Sequence, residues 1–348
     1  MSKRYKICYM LGDGIGPEVM KAALSVLREL ASHMEFVELR AGLEYYKRTG
    51  VLLEEQFFEK VKECDAVIKG PLQTPLGPGT HRSVNVMIRQ ELNLYANVRP
   101  FTSYKGVSLS TFDLTIIREN TEDLYVGIEG KFGNIAFSMK VISESGSRRI
   151  ARFAFDYARS RGYKRVTVVH KANILKETDG LFRRVFFEEA EKFSDIKADE
   201  MIVDAAAYKL VKSPEEFQII LTPNLYGDIL SDLAAGIVGS IGLCGSAQIG
   251  DNIAVFEPIH GTAPDIAGKN VANPIGGIIA AKLMLEYLAL RYGDSKARNV
   301  ACAIERGVRR VVESRVSLPR DLGGSANTQE VADAVKEASI DFLRSFSV

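Results

Sequence analysis

The segment Leu225–Gly236, "LYGDILSDLAAG", reads as a largely apolar helix that carries two acids, Asp228 and Asp232. At four-residue spacing both carboxylates lie on one helix face, where like charges repel. From Ser213 to Gly268 the chain has no Lys or Arg. The positive partner must therefore come from elsewhere in the sequence, from another chain or from a metal. Asp204, in "MIVDAAAYKLV", adds a third acid after an apolar run. Three such carboxylates suit Mg2+ or Mn2+, hard cations that take oxygen ligands and keep waters or substrate in their remaining positions. A helix cap or a solvated surface acid is the ordinary alternative for any one of them.

Arginines form the second group. "THRSVNVMIRQELNLYANVRP" contributes Arg82, Arg89 and Arg99, and "TIIREN" adds Arg118. Arg89 falls on a helix, Arg99 precedes a proline and is extended, and Arg118 ends an apolar strand. Singly, each reads as a surface or ion-pair residue. Together, beside strand ends, they can clamp a substrate with several carboxylates, because a guanidinium fork matches a carboxylate bidentately. Ser83 and Asn85 stand just before Arg89 and add neutral hydrogen-bonding groups. Lys171, in "VVHKAN", follows an apolar strand. Beside other cations or a metal its pKa falls and it can act as a base. Tyr125, in "TEDLYVG", can serve as an acid, although a tyrosine is ordinarily a packing residue with one satisfied hydroxyl.

"FEPIHGTAPDIAGKNVANP" is a polar, Gly- and Pro-rich loop whose small residues suit close approach to a ligand. Its Asp265 can accept hydrogen bonds from a ribose diol and would repel a 2′-phosphate. "LGDGIGPEV" follows a strand and opens a helix, but its spacing is G-x-G-x-G. No acid ends a strand about twenty residues further on, so the dinucleotide fingerprint is not met. With Pro17 in the first helical turn it reads as a tight strand-to-helix turn, one whose glycines also permit a ligand to come close.

Strand-like and helix-like runs alternate around these groups, which favours α/β layers. Strands are expected in "YKICYML", "MEFVELRAG", "AVIKG", "FDLTIIREN", "KRVTVVHKAN" and "EFQIILTPN". "KFGNIAFSMKVIS" has the loose alternation of a hairpin or arm. The stretch between Gly239 and "NPIGG" reads as a Gly-rich loop, and long helices close the chain. Polar tips at Gly70, Arg118, His170 with Lys171, and Asn224 follow apolar strands, where ligand sites of α/β sheets gather.

The chain of 348 residues, 46% hydrophobic and 26% charged, is long enough for one large domain or two medium ones. A net charge of +1 makes no global electrostatic case for nucleic acid or an anionic membrane. No uncharged run approaches a membrane span, and the start lacks a signal-peptide pattern. Cys8, Cys64, Cys244 and Cys302 are far apart without a C-x-x-C pair. They are expected to be small buried side chains in a reducing compartment. The expectation is a cytoplasmic protein.

The blocks "GDGIGPE", "RENTEDLYVGIE", "HKANI", "YGDILSDLAA", "IGDNIAVFEPIHGTAPDIAGKNVANP" and the arginine-rich stretch span nearly the whole chain. In this order they resemble the β-decarboxylating dehydrogenases, which act on isocitrate, homoisocitrate or 3-isopropylmalate. The resemblance implies an α/β fold with the open mixed sheet of isopropylmalate dehydrogenase, not a Rossmann fold. It implies a large domain from residues 1–98 and 240–348 and a smaller one from 99–239. An arm at about 130–141 would interlock two subunits, and a homodimer, or a higher oligomer built on it, would share its active sites.

By position, the resemblance gives Arg89, Arg99 and Arg118 the malate-type carboxylates, with Ser83 and Asn85 beside them. Asp228 and Asp232 would hold Mg2+ or Mn2+ with the substrate's hydroxyl and carboxylate. Asp204 and Lys171 would reach in from the other subunit, Lys171 helping to remove the hydroxyl proton. Tyr125 would protonate the enolate left by CO2 loss, and Asn173 would lie near substrate or nicotinamide. His260, Gly261, Thr262, Ala263, Asp265, Ile266 and Asn273 would line the adenosine end. NADP-using relatives carry Lys-Tyr in place of Asp265-Ile266, so the expected cofactor is NAD. Isocitrate enzymes read S-x-N-x-x-x-R where this chain has Ser83 to Arg89. Homoisocitrate enzymes often have Arg at Val86, and isopropylmalate enzymes have Leu-Leu in this loop. A polar Ser/Asn pair is a poor floor for an isopropyl group. The expected substrate is isocitrate, then homoisocitrate, then isopropylmalate. A non-catalytic regulatory subunit would have lost catalytic groups, and here Tyr125, Lys171, Asp204, Asp228 and Asp232 are all present.

Overall fold

Short apolar runs such as "AVIK" and "IILT" are buried along their whole length, which requires cover on both faces of a sheet. The computed structural model describes residues 3–75, 80–81 and 83–345; Arg82 lies outside the described residues. The strands are β1 (Tyr5–Met10), β2 (Met34–Glu38), β3 (Ala66–Lys69), β4 (Ala96–Thr102), β5 (Asp113–Glu119) and β6 (Glu129–Phe132). They continue with β7 (Ile135–Ser138), β8 (Arg165–His170), β9 (Lys197–Ile202), β10 (Ile219–Thr222), β11 (Gly245–Ile249) and β12 (Ala254–Pro258). The helices are α1 (Gly16–Leu30), α2 (Leu43–Thr49), α3 (Phe57–Lys62), α4 (Val84–Glu91), α5 (Glu144–Arg161) and α6 (Thr178–Ala190). After them come α7 (Val203–Lys212), α8 (Asn224–Val238), α9 (Ile275–Tyr292), α10 (Ser295–Ser314) and α11 (Thr328–Ser345).

One ten-stranded sheet runs β2-β1-β3-β12-β11-β4-β5-β10-β8-β9, and β6 with β7 forms a separate hairpin. The outer strands pair in parallel. The centre, from β12 through β11 and β4 to β5, is antiparallel. Two parallel halves of opposite direction thus meet at an antiparallel seam, the open mixed sheet expected.

The seam itself corrects the sequence reading. β11 and β12 lie in the stretch read as a Gly-rich loop. "GSAQI" has little strand character of its own and forms because β12 and β4 pair with it on both sides, a tertiary effect that overrides propensity. β4 contains Pro100, yet β11 pairs only with Ala96 to Val98. Pro100 lies past that ladder, where its missing N–H disrupts nothing. β9, "KADEMI", is a sheet-edge strand whose charges hid it; charged residues are usual at an edge.

The cysteine expectation also changes. β1 brings Cys8 beside Cys64 in the turn before β3, and the two form a disulfide, while Cys244 and Cys302 are free. Four reduced thiols were expected; sequence distance hid a neighbour pair that parallel β1–β3 pairing creates. Among the described residues, no helix is long and apolar enough to cross a membrane.

The "GDGIG" turn serves docking. The buried Asp13 carboxylate accepts from the backbone N–H groups of Leu43, Glu44 and Gln73 at 2.8–2.9 Å, so it holds the start of α2. The Ile15 N–H donates to the Thr262 carbonyl at 2.8 Å. Gly14 has φ +59°, and a Cβ there would overlap that same Thr262 carbonyl. Gly14→Ala should therefore lower stability by about 1–3 kcal/mol through backbone strain and a displaced Thr262 loop. Urea unfolding measures it; a change within about 0.5 kcal/mol, as at an indifferent surface position, contradicts this account.

Candidate active site

Strand alternation at the seam assembles a polar row on one sheet face. Gln248 of β11 stands opposite Asn97 of β4, and Asn97 opposite Arg118 of β5. Arg99, two residues on, shares that face by the strand period of two. Arg99 and Arg118 are buried, and α8 lies over them. The positive partners that the acidic helix lacks locally are supplied here. Arg118 Nη1 donates to Asp228 in a close ion pair, and Arg99 Nη1 approaches the same oxygen at 3.4 Å. The Tyr125 hydroxyl donates to the other Asp228 oxygen at 2.6 Å. Its ring faces the Arg118 guanidinium at 4.9 Å. Gly227 makes the approach possible, because a Cβ there would meet the stem of Arg118 at 2.6–2.7 Å.

The arginines are oriented by residues most of which had no such role in the sequence reading. Arg118 Nε donates to Asn224 at 2.8 Å and Arg99 Nε to Asn97 at 3.3 Å. Arg89, on α4, reaches the seam through Gln248 at 2.7 Å and Glu257 at 3.5 Å. Glu257 in turn pairs with Lys69, fully buried at the end of β3, and Lys69 donates to Asn85 at 2.8 Å. The signal for Lys69 and Glu257 was a charge at the end of an all-apolar run, in "AVIKG" and "AVFEP". Ser83 Oγ accepts from Thr74 at 3.0 Å. Arg118 Nη2 is buried with no hydrogen-bond partner, a donor suited to a carboxylate oxygen of a ligand.

Asp232 is solvent-exposed, and no hydrogen bond or ion pair to its carboxylate forms among the described residues. The two acids of α8 are driven apart electrostatically. Burial alone would raise the Asp228 carboxyl, but Arg118, Arg99 and the Tyr125 hydroxyl outweigh it and hold the group below the usual carboxylate range. Partial desolvation raises the Asp232 carboxyl, and the Asp228 charge adds to this against Arg99 and Arg118. Burial lowers Arg118 to about 9, with Arg99 and Arg89 adding to the fall; it remains a cation at neutral pH. Burial likewise raises Tyr125, with help from Asp228 and against Arg118, so its hydroxyl keeps its proton.

Lys171 and Asp204 form a second, outward-facing cluster. Lys171, just past β8, pairs with Asp204 in the first turn of α7. The Asp204 side chain is 69% exposed. Neither residue bonds to Asp228, Asp232 or Tyr125, and no group of three metal-ligating side chains forms among the described residues. Asn173 is exposed on the same turn as Lys171. It lines a cavity of about 510 Å3 with His170, Arg183 and Glu200.

The loop after β12 carries the residues expected at a nucleotide. His260 is buried; its Nδ1 lies 3.0 Å from the Gly261 carbonyl, and its Nε2 has no partner. Burial lowers its pKa, which keeps the ring neutral. Gly261 and Asp265 are exposed, Ala263 has φ +36°, and Ile266 packs on Ile15 and Val19. Asn273 is anchored, donating to Asp321 at 3.0 Å and accepting from the Ile275 N–H at 3.0 Å.

A mixed α/β sheet carrying a buried arginine cluster under a helix with paired acids fits an oxidoreductase that acts on hydroxy acids. The family described as "Isocitrate/isopropylmalate dehydrogenase" matches residues 6–335, and this chain is a member of it. The 3-isopropylmalate/3-methylmalate dehydrogenase of Methanocaldococcus jannaschii is 45% identical over 338 residues, 95% of this chain and 98% of that protein. The isocitrate/homoisocitrate dehydrogenase of Thermus thermophilus is 45% identical over 337 residues, 96% of this chain and 98% of that one. The crystal structure of isocitrate dehydrogenase from Methylococcus capsulatus superposes with a TM-score of 0.91 at 43% identity. It covers 96% of this chain and 99% of its own.

The opposed shifts give an ordering that can be read directly. In carboxyl-detected NMR of the metal-free protein, Asp228 should titrate below the ordinary aspartate value of about 3.9 and Asp232 above it. Because the folded pKa of Asp228 is depressed, its ionised form favours the fold at higher pH. That contribution is lost as pH falls through the folded value. The reverse order of the two midpoints would contradict the Arg118–Asp228 pairing.

Proposed function

We propose that the protein is an NAD-dependent, Mg2+- or Mn2+-dependent dehydrogenase that converts isocitrate to 2-oxoglutarate and CO2. The observation that carries this reading is the Arg99–Arg118–Asp228–Tyr125 contact. It joins a carboxylate clamp, a metal-type acid and a protonated tyrosine in one place. Asp228 and the unpartnered Asp232 offer hard oxygen donors on one helix face, which fits a divalent cation whose other positions come from substrate oxygens and a partner's acid. Such a cation supplies Lewis acidity toward the substrate's hydroxyl and carboxylate. The buried spare nitrogen of His260 and the Asp265 carboxylate, which has no partner among the described residues, fit the adenosine end of NAD+, which would supply the hydride acceptor.

The chain's own residues divide the remaining work. Arg89, Arg99 and Arg118 hold the carboxylates, Arg118 Nη2 being free to do so. Lys171, paired with Asp204, helps to remove the hydroxyl proton by way of that carboxylate or water, and Tyr125 returns a proton to carbon after CO2 leaves. Lys171 and Asp204 pair with each other and form no bond to their own Asp228, so on this reading a complete site takes them from a second copy. Exposed apolar side chains support that copy: Phe132 at 81% and Ile135 at 67% on the β6–β7 arm, Tyr208 at 69% on α7 and Ile229 at 60% on α8. Such faces on an otherwise well-packed chain suit a homodimer. We assign the small domain to residues 99–239 and the large one to 1–98 and 240–348. The first cut falls inside β4, so the hinge between them is the seam itself. One core cluster lies mostly within the small domain, from Ile117 to Leu221, while another draws side chains from both domains.

Substrate choice rests on Ser83 and Asn85. With Thr74 donating to it, the Ser83 hydroxyl can donate onward, and Asn85 is tied through Lys69 and Glu257 to Arg89. These groups suit a third carboxylate and leave hydrogen bonds unmade against an isopropyl group. Homoisocitrate is the second reading, favoured by the Thermus relative whose name carries both acids.

Initial rates with isocitrate, homoisocitrate and 3-isopropylmalate, each with NAD+ and NADP+, should be highest for isocitrate with NAD+. A higher kcat/KM for 3-isopropylmalate or for NADP+ sinks that part of the reading. Site sharing has its own test. Lys171→Met and Asp228→Asn should each abolish turnover. Denatured and refolded as an equal mixture, they should regain roughly a quarter of wild-type activity, from one intact site per heterodimer. A mixture as inactive as its components argues for sites within single chains.

A further inference from the structure

Lys140 sits at the root of the arm, two residues past β7, and its side chain is only 12% exposed. Two fully buried acids face it. Asp179 Oδ1 lies 2.6 Å from Nζ and Asp123 Oδ1 3.5 Å away. The Tyr226 ring stands over the ammonium at 4.2 Å. Each neighbour holds a different piece of the catalytic apparatus. Asp179 Oδ2 accepts from the Lys171 backbone N–H at 2.7 Å. Asp123 Oδ2 accepts from the Leu225 N–H at 2.8 Å, at the start of the helix bearing Asp228 and Asp232. Asp123 also immediately precedes the helical turn that carries Tyr125.

Asp123 is held in a conformation that side-chain-bearing residues avoid, with φ 68° and ψ −149°. Backbone of this kind persists only where the surroundings over-determine it. Here they do so through the Asp123 N–H to the Val141 carbonyl at 2.8 Å, next to Lys140, and through the Leu225 bond. Asp123 Oδ1 makes no hydrogen bond and has the Lys140 charge as its compensation. Without that cation, two carboxylates would be left buried and uncompensated, a costly arrangement.

We infer that Lys140 is a positioning residue. Through Asp123 and Asp179 it locks Tyr125, the acid helix α8 and the Lys171 turn into one frame, and it ties that frame to the arm. The inference rests on the functional reading of those three elements. Lys140 touches no substrate or cofactor in this account. Its loss acts through the placement of Tyr125 and Lys171, so chemistry suffers while the arginines still bind substrate.

The test compares wild type, Lys140→Met and Lys140→Arg as full-length purified chains, with sedimentation to score assembly. Lys140→Met should stay assembled, keep its substrate KM within about threefold and lose about 100-fold in kcat, the scale of a small misplacement of catalytic groups. Lys140→Arg, which restores the buried cation, should recover most of that loss. An unchanged kcat in the Met variant, a failure of Arg to recover it, or a loss that merely follows dissociation overturns the inference. If the Met variant does not fold, Asp123→Asn decides. It keeps an oxygen for Leu225 and removes the charge facing Lys140, and it should lower kcat about tenfold at constant KM; no loss overturns the inference. Wild-type protein that oxidises none of the three acids refutes the functional reading and this inference with it. Active wild type with indifferent variants refutes this inference alone.

Discussion

Two guanidinium groups lie in the middle of a sheet, under a helix, and that burial governs how the rest of the molecule is arranged. A charge removed from water needs a partner and hydrogen bonds for its remaining donors. Arg99 and Arg118 share one carboxylate, Asp228, and take their other bonds from Asn97 and Asn224. The helix bearing Asp228 must therefore approach β5 closely, which Gly227 permits and a larger residue would prevent. The same demand extends along the seam to Glu257, Lys69 and Arg89, so that a chain of compensated charges crosses strands from both halves of the sheet.

This arrangement reconciles two requirements that ordinarily conflict. A site for a poly-anionic acid must present cations, and a stable core must not contain them unpaired. The seam resolves this by pairing each arginine with a protein acid or amide while leaving Arg118 Nη2 unused. In the proposed function a ligand carboxylate would complete a set of bonds that is nearly full beforehand, which would keep the ordering cost at binding small. Asp232, exposed and unpartnered on the same helix face, is the complementary case: an anion lacking a cation. Lys171 and Asp204 are paired with each other and bond to neither the α8 acids nor Tyr125, which is the physical basis for proposing that a second copy completes the site.

Much of this was legible in the residues. The absence of Lys and Arg around Asp228 left its positive partner to come from elsewhere in the sequence, from another chain or from a metal, and β4 and β5 supply one through Arg99 and Arg118. The failed G-x-G-x-x-G spacing correctly excluded a Rossmann sheet, and the "GDGIG" turn proved to dock on Thr262. The arm appeared as a loosely alternating segment and forms a hairpin. The seam was not legible, because β11 and the Pro-containing β4 have no strand pattern of their own and exist through their neighbours. Gln248 and Asn97 were missed for the same reason: a polar residue in a weak strand declares nothing until the facing strand is known. Lys69 and Glu257 end apolar runs and Asn224 is a polar tip after one, but what each of them faces is set only by packing.

By itself, the sequence determined which chemical groups are present and in what local order: paired acids at helical spacing, arginines at strand ends, a tyrosine and a lysine after apolar runs. Those are properties of spacing along one chain, which helix and strand periods convert into faces. The tertiary structure alone decided which of these groups meet. Cross-strand register at the antiparallel seam brings residues more than a hundred positions apart within hydrogen-bonding distance, and no local period encodes that. Tertiary packing joined Arg118 to Asp228, Arg89 to Glu257 and Cys8 to Cys64, and it kept Asp204 apart from the acids with which the sequence had grouped it.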